Sequence, residues 1–193
     1  VSSDRRELSP VPVMKRPPFT PVVEALPHMV PFVGPEAMER TRGRPFRARL
    51  GANESSFGPS PRAIEAMRAA VAENWKYSDP ENYELRAAIA AFHGVPMASV
   101  MVGEGIDGLL GLTAMLFLTP GEVAVTTEGA YPTFNFHVQA HGGQLAACPM
   151  SDLREDLSGL REAAIKSRAK LLYVSNPNSP MGTYWPAADL ERF

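Results

Sequence analysis

The chain has 193 residues, 45% of them hydrophobic, with a net charge of −2 and a pI near 6.1. That composition can bury a sizeable core and has no basic surplus to attract nucleic acid. The single cysteine, Cys148, excludes an internal disulfide and a Cys-rich metal site, and no apolar run reaches the ~18 residues of a membrane span.

Residues 1–50 hold nine of the nineteen prolines, which rules out a long helix over most of that segment. Arg5 and Arg6 are followed by Glu7 and then prolines rather than an apolar stretch, so no export signal is read and a cytoplasmic location is the expectation. Scattered apolar residues (Val13, Phe19, Val22, Leu26, Phe32) predict an extended arm that packs over the body or over a partner subunit. The run Arg40, Arg42, Arg44, Arg47 and Arg49 reads as a solvated rim, with an anion site as the alternative. Next, LGANESSFGPSP (50–61) ends in a helix start: Ser60 suits the cap and Pro61 the first turn. Ile64, Met67, Val71 and Trp75 then share one helical face. After the irregular KYSDPEN, a short helix is predicted with Leu85, Ile89 and Phe92 inward and Gly94 as its stop.

The stretch VMVGEGIDGLLGLTAMLFL (100–118) predicts a strand, a glycine-rich turn and a helix. Gly103, Gly105 and Gly108 spell G-x-G-x-x-G, and Glu128 closes the next strand, VAVTTE, twenty residues after Gly108. This spacing fits a dinucleotide fingerprint. It fits equally a phosphate cup in which free N–H groups of Ile106, Asp107 and Gly108 face an anion at a helix N-terminus. TTEGAYPTFNFH (126–137) turns from strand to helix, with Phe134 and Phe136 expected in the core. QLAAC (144–148) is a short strand in which Cys148, beside Ala146, Ala147 and Pro149, reads as a small buried residue. Leu157, Leu160 and Ala164 mark a helix, and 170–175 is the next strand. Strands alternating with helices imply an α/β fold, three-layer α/β/α around a mainly parallel sheet.

That last strand runs into NPNSPMG (176–182). Pro177 and Pro180 fix φ and remove two donors, and Gly182 gives the chain freedom to leave. Asn178 thus stands at the carboxyl end of a strand, where open α/β sheets bind ligands. Closing an Asx-turn is its alternative role. The motif resembles the NPNNPTG signature of fold-type I pyridoxal-phosphate aminotransferases of class I/II, with Ser179 and Met181 as the departures. L-x-x-N-E before G-P-S-P is similar to the start of the catalytic domain in histidinol-phosphate aminotransferase-like proteins, and the resemblance runs from about Leu50 to Gly182.

The resemblance implies a pyridoxal 5′-phosphate enzyme that moves an amino group between an amino acid or amine, histidinol-phosphate-like or aromatic, and a 2-oxo acid. It implies that Asn178, with Ser179 as a possible substitute, meets the 3′-oxygen of the cofactor ring. Tyr131 would stack on that ring. Gly105, Ile106 and Asp107 would line a phosphate cup like the family's G-x-G-x-D-E, in which Gly108 stands in place of the usual acid. Tyr77, in Y-x-D-P, would reach the phosphate of the other subunit, making a homodimer. The Schiff-base lysine and the acid on the pyridine nitrogen are implied beyond the turn, so no catalytic residue and no metal ligand is assigned here. On this reading residues 1–50 are a Pro-rich arm or part of a small domain, and residues 51–193 are the first part of the large cofactor domain. Both ends then read as cuts. The alternatives are an NAD(P)-dependent dehydrogenase using the GEGIDG loop and a truncated, non-catalytic fragment that only binds phosphate or dimerises.

Overall fold

The structure is a computed structural model and describes residues 18–28, 32–51 and 54–193. In the described part of the arm, prolines start helices and keep them short: α1 (Pro21–Glu24) is capped by Thr20, and α2 (Pro35–Arg42) ends at Gly43 with φ +68°. Helix α3 (Pro61–Ala70) starts as its sequence dictates, with the Ser60 hydroxyl accepting the Ala63 N–H at 3.1 Å. Helix α4 (Tyr83–His93) is entered through Asp79, whose carboxylate accepts the N–H groups of Glu81 and Tyr83 and is thereby held below the usual carboxylate range. It stops at Gly94, where φ is +65°.

The remaining elements are α5 (Gly105–Phe117), β1 (Val123–Thr127), α6 (Pro132–Ala140), β2 (Gln144–Cys148), α7 (Leu157–Ser167), β3 (Leu171–Leu172) and α8 (Ala187–Leu190). The three strands form a parallel sheet in the order β2-β1-β3, with Val125 beside both Ala146 and Leu172. Alternation along β1 feeds two cores. Ala124 packs with Leu110 and Ala114 from α5, with Leu118 just beyond its end, and with Phe134 and Val138 from α6. Val125 faces the opposite way, onto Cys148 and Leu160. The expected three layers are therefore present, with α5 and α6 on one side and α7 on the other. The α7 side is packed closely enough to demand glycine at 159, where a Cβ would lie 2.5 Å from the Cys148 sulfur.

Several elements differ from expectation. Residues 100–103 lie outside the sheet, so no strand immediately precedes α5. The strand expected over 170–175 pairs only at Leu171–Leu172. Tyr173 N–H still donates to Val125, but Ser175 N–H turns to the Glu155 carboxyl group instead of the sheet. The apolar faces of α3 and α4 are only partly used: Met67, Val71, Trp75, Leu85 and Phe92 are exposed, so Leu85 and Phe92 do not point inward. Periodicity fixed the stripe, but no described residue covers it. The arginine run is a rim: Arg49 bridges Glu36 and Glu54 at 2.8 and 2.7 Å, and Arg42 lies over the Phe46 ring.

Candidate functional site

Parallel strands place all their carboxyl ends on one edge, and the functional segments gather there. The NPNSPMG turn is locked by its own backbone: Gly182 N–H donates to Asn178, and Asn178 N–H donates to Thr183 at 2.7 Å. Gly182 adopts φ +72°, which favours glycine. Asn176 clasps the backbone of Trp185 through both ends of its amide, at 2.8 and 3.1 Å. Asn178 is 4% exposed. Its Oδ1 accepts the Met181 N–H at 3.1 Å, and its Nδ2 donates to Glu155 at 2.8 Å. The turn-closing role is thus real, and one of the two amide hydrogens is committed to Glu155.

An open cleft of about 1100 Å³ lies over this edge. Ile106 from the first turn of α5, Tyr131 at the start of α6, and Asn178 and Ser179 from the turn all line it. Phe32 and Leu50, both exposed, line it as well, and the described part of the arm is not extended as expected but holds α1 and α2. Gly105 adopts φ +68° to open α5 and spends its N–H on Gly103 at 2.8 Å. Glu104 precedes the helix without a side-chain cap, leaving the first-turn N–H groups to an anion. Asp107 is tied to the site through the Tyr131 hydroxyl, which donates to it at 3.0 Å. Gly105 and Asp107 adjoin the cleft without lining it. The side chain of Glu104 folds across Gly108, where a Cβ would lie 3.0 Å from Glu104 Cβ. An acidic side chain at 104 thus takes the space that one at 108 would need.

Tyr77 is not brought to the cleft: it is fully exposed in the loop before α4. In the L-x-x-N-E segment before the helix start, Glu54 pairs with Arg49, and Asn53 falls outside the described residues. Lys170 stands at the opposite, amino edge of the sheet, 3.8 Å from Glu122, and neither Lys76 nor Lys166 lines the cleft. The dinucleotide reading loses its context, because its glycines follow no strand and Glu128 is exposed beyond β1.

Three participants carried no signal in the sequence. Tyr173 lines the cleft and stacks on Phe134 at 4.6 Å, and burial pushes its phenol above the ordinary range. Ser175 lines the cleft beside it. Glu155 is 2% exposed beneath the turn, one residue before the Asp156 cap of α7.

The segments around this cleft recur in known proteins. The chain is 37% identical over 174 residues to a histidinol-phosphate aminotransferase of Anaeromyxobacter sp. (strain Fw109-5), covering 90% of this chain and 48% of that one. It is 32% identical to the histidinol-phosphate aminotransferase of Moorella thermoacetica, covering 94% and 47%. Among solved structures, the histidinol-phosphate aminotransferase of Sinorhizobium meliloti in complex with pyridoxal-5′-phosphate superposes with a TM-score of 0.84 at 50% identity, over 89% of this chain and 46% of that one. The alanine aminotransferase of Pyrococcus furiosus superposes with a TM-score of 0.63 at 26% identity, over 70% and 37%. The chain therefore spans about half the length of the curated relatives it matches. Residues 48–193 match the family described as aminotransferase class I and II, and the chain, with its partial fold-type I architecture and its turn at the strand ends, belongs to that family.

Proposed function

We propose that this chain supplies the phosphate- and ring-binding half of a pyridoxal-phosphate aminotransferase whose amino donor is histidinol-phosphate-like or aromatic and whose acceptor is a 2-oxo acid. The observation that carries this reading is the convergence of the α5 N-terminus, Tyr131 and the Asn178–Ser179 pair on one cleft. The residues fit such a cofactor. Uncapped N–H groups at Ile106 and Asp107, aided by the helix dipole, suit a phosphate dianion. Among the described residues the lining includes no lysine or arginine, so on this reading what α5 contributes to the phosphate is backbone donors. Each such charge-assisted bond contributes about 1.5–3 kcal/mol. Tyr131 would stack on the ring, oriented by its hydrogen bond to Asp107. Asn178 and Ser179 would donate to the ring oxygen and favour its ionised form. The bound cofactor supplies the electron sink for bond changes at the substrate α-carbon.

Homodimerisation, with Tyr77 serving the partner's phosphate, belongs to the same proposal, as do a cytoplasmic setting and the assignment of residues 51–193 to the large domain. The sequence identity to histidinol-phosphate aminotransferases supports the substrate class. The full-length protein, purified without additions, is expected to be yellow and to show the visible absorption of bound pyridoxal phosphate. A colourless protein that ignores pyridoxal phosphate and binds NAD tightly would overturn the reading.

A further inference from the structure

Glu155 occupies a place that neither core packing nor cofactor contact requires. It lies just before α7, is 2% exposed, and forms no ion pair among the described residues. Hydrogen-bond donors satisfy it instead. Oε2 accepts the hydroxyl of Thr127, the last residue of β1. Oε1 accepts Asn178 Nδ2 at 2.8 Å and the Ser175 N–H at 3.4 Å. Its carbonyl oxygen accepts the Trp185 indole N–H at 2.8 Å. One residue therefore ties the end of β1, the exit of β3 and both sides of the NPNSPMG turn together from beneath. A buried polar group persists only when such partners are supplied, and removing it would leave the Asn178 amide without its acceptor.

We propose that Glu155 is a positioning residue that holds the Asn178 amide, and with it the turn forming one wall of the cleft, in register with the sheet. The link to cofactor rests on the function proposed above; the link to the turn does not. Glutamine can keep the role, since its carbonyl oxygen still accepts from Asn178 and Ser175. Alanine cannot, and aspartate is one methylene too short to reach both Thr127 and Asn178.

The test uses the full-length protein with Glu155→Gln, Glu155→Asp, Glu155→Ala, Asn178→Ala and the double variant Glu155→Ala/Asn178→Ala. Amide hydrogen exchange in the cofactor-free protein is expected to accelerate at least about tenfold at Met181 and Gly182 in Glu155→Ala and Glu155→Asp. It should stay at the wild-type rate in Glu155→Gln, with Val125 and Thr126 of β1 unchanged in every folded variant. The dissociation constant for pyridoxal phosphate, read from the visible band, is expected to rise about tenfold in Glu155→Ala, and the double variant should be no worse than Asn178→Ala. Equal exchange in all variants, or losses that multiply in the double variant, would overturn the proposal. Should Glu155→Ala not fold, the contrast between Glu155→Asp and Glu155→Gln decides it. If the wild-type protein binds no pyridoxal phosphate, the proposed function fails and the exchange data alone judge Glu155.

Discussion

Cys148 illustrates how the packing of single residues constrains this chain. Burial pushes its thiol above the ordinary range, and the nearby acids Asp156, Glu128, Glu155 and Glu162 push it the same way. The fold thus prefers the neutral thiol. The stability this confers is present below the thiol's unfolded pKa and is lost as pH rises through the higher folded value. At about pH 8, a thiol reagent is expected to label native Cys148 at least about tenfold more slowly than the unfolded chain. Equal rates would mean that the thiol is accessible and that the Gly159 contact is not maintained. Burial of Cys148 was legible from its small apolar neighbours. Burial of Glu155 was not, because an acid beside a helix cap looks the same in a sequence whether water or a tertiary amide satisfies it.

Elements were legible wherever their signals are local. Ser60-Pro61 and Gly94 specify helix ends through their own backbone preferences, β1 stands out as a short β-rich run, and β2 is marked by the Gly142-Gly143 turn before it. The shortness of β3 was hidden, since it arises from competition for the Ser175 N–H by a carboxyl group twenty residues away in sequence. The missing strand at 100–103 has the same character: a strand exists only where a neighbour pairs with it. For α7, Leu160 is fully buried against Val125 and Cys148. Leu160→Ala in the full-length protein is therefore expected to cost about 2–5 kcal/mol in denaturant unfolding, with an unchanged denaturant slope. A cost below about 1 kcal/mol would mean that α7 is not packed as described.

At the scale of the whole molecule, the position of the turn at the strand ends could be read from its residues, whereas the convergence of the α5 N-terminus and Tyr131 upon it was legible only through the family resemblance, because crossovers bring them together. Tyr77 stands in solvent away from this chain's own cleft, and its proposed role at the phosphate is to be served by a second copy. In the full-length enzyme, Tyr77→Phe is expected to weaken cofactor retention without altering the fold. Remixing it with Asn178→Ala, at cofactor concentrations too low to load either parent, should give about a quarter of wild-type activity, because half the dimers are hybrids with one intact site each. Mixtures that only average their parents would place Tyr77 in its own subunit or nowhere. One further consequence lies in β1. The two cores meet across the sheet: in β1 Ala124 serves one and Val125 the other, and Leu145 and Ala146 of β2 and Leu171 and Leu172 of β3 divide in the same way. Because the strands serve both cores, loosening α7 is expected to withdraw support from the sheet on which α5 and α6 rest, so both layers should be lost in one coincident unfolding transition.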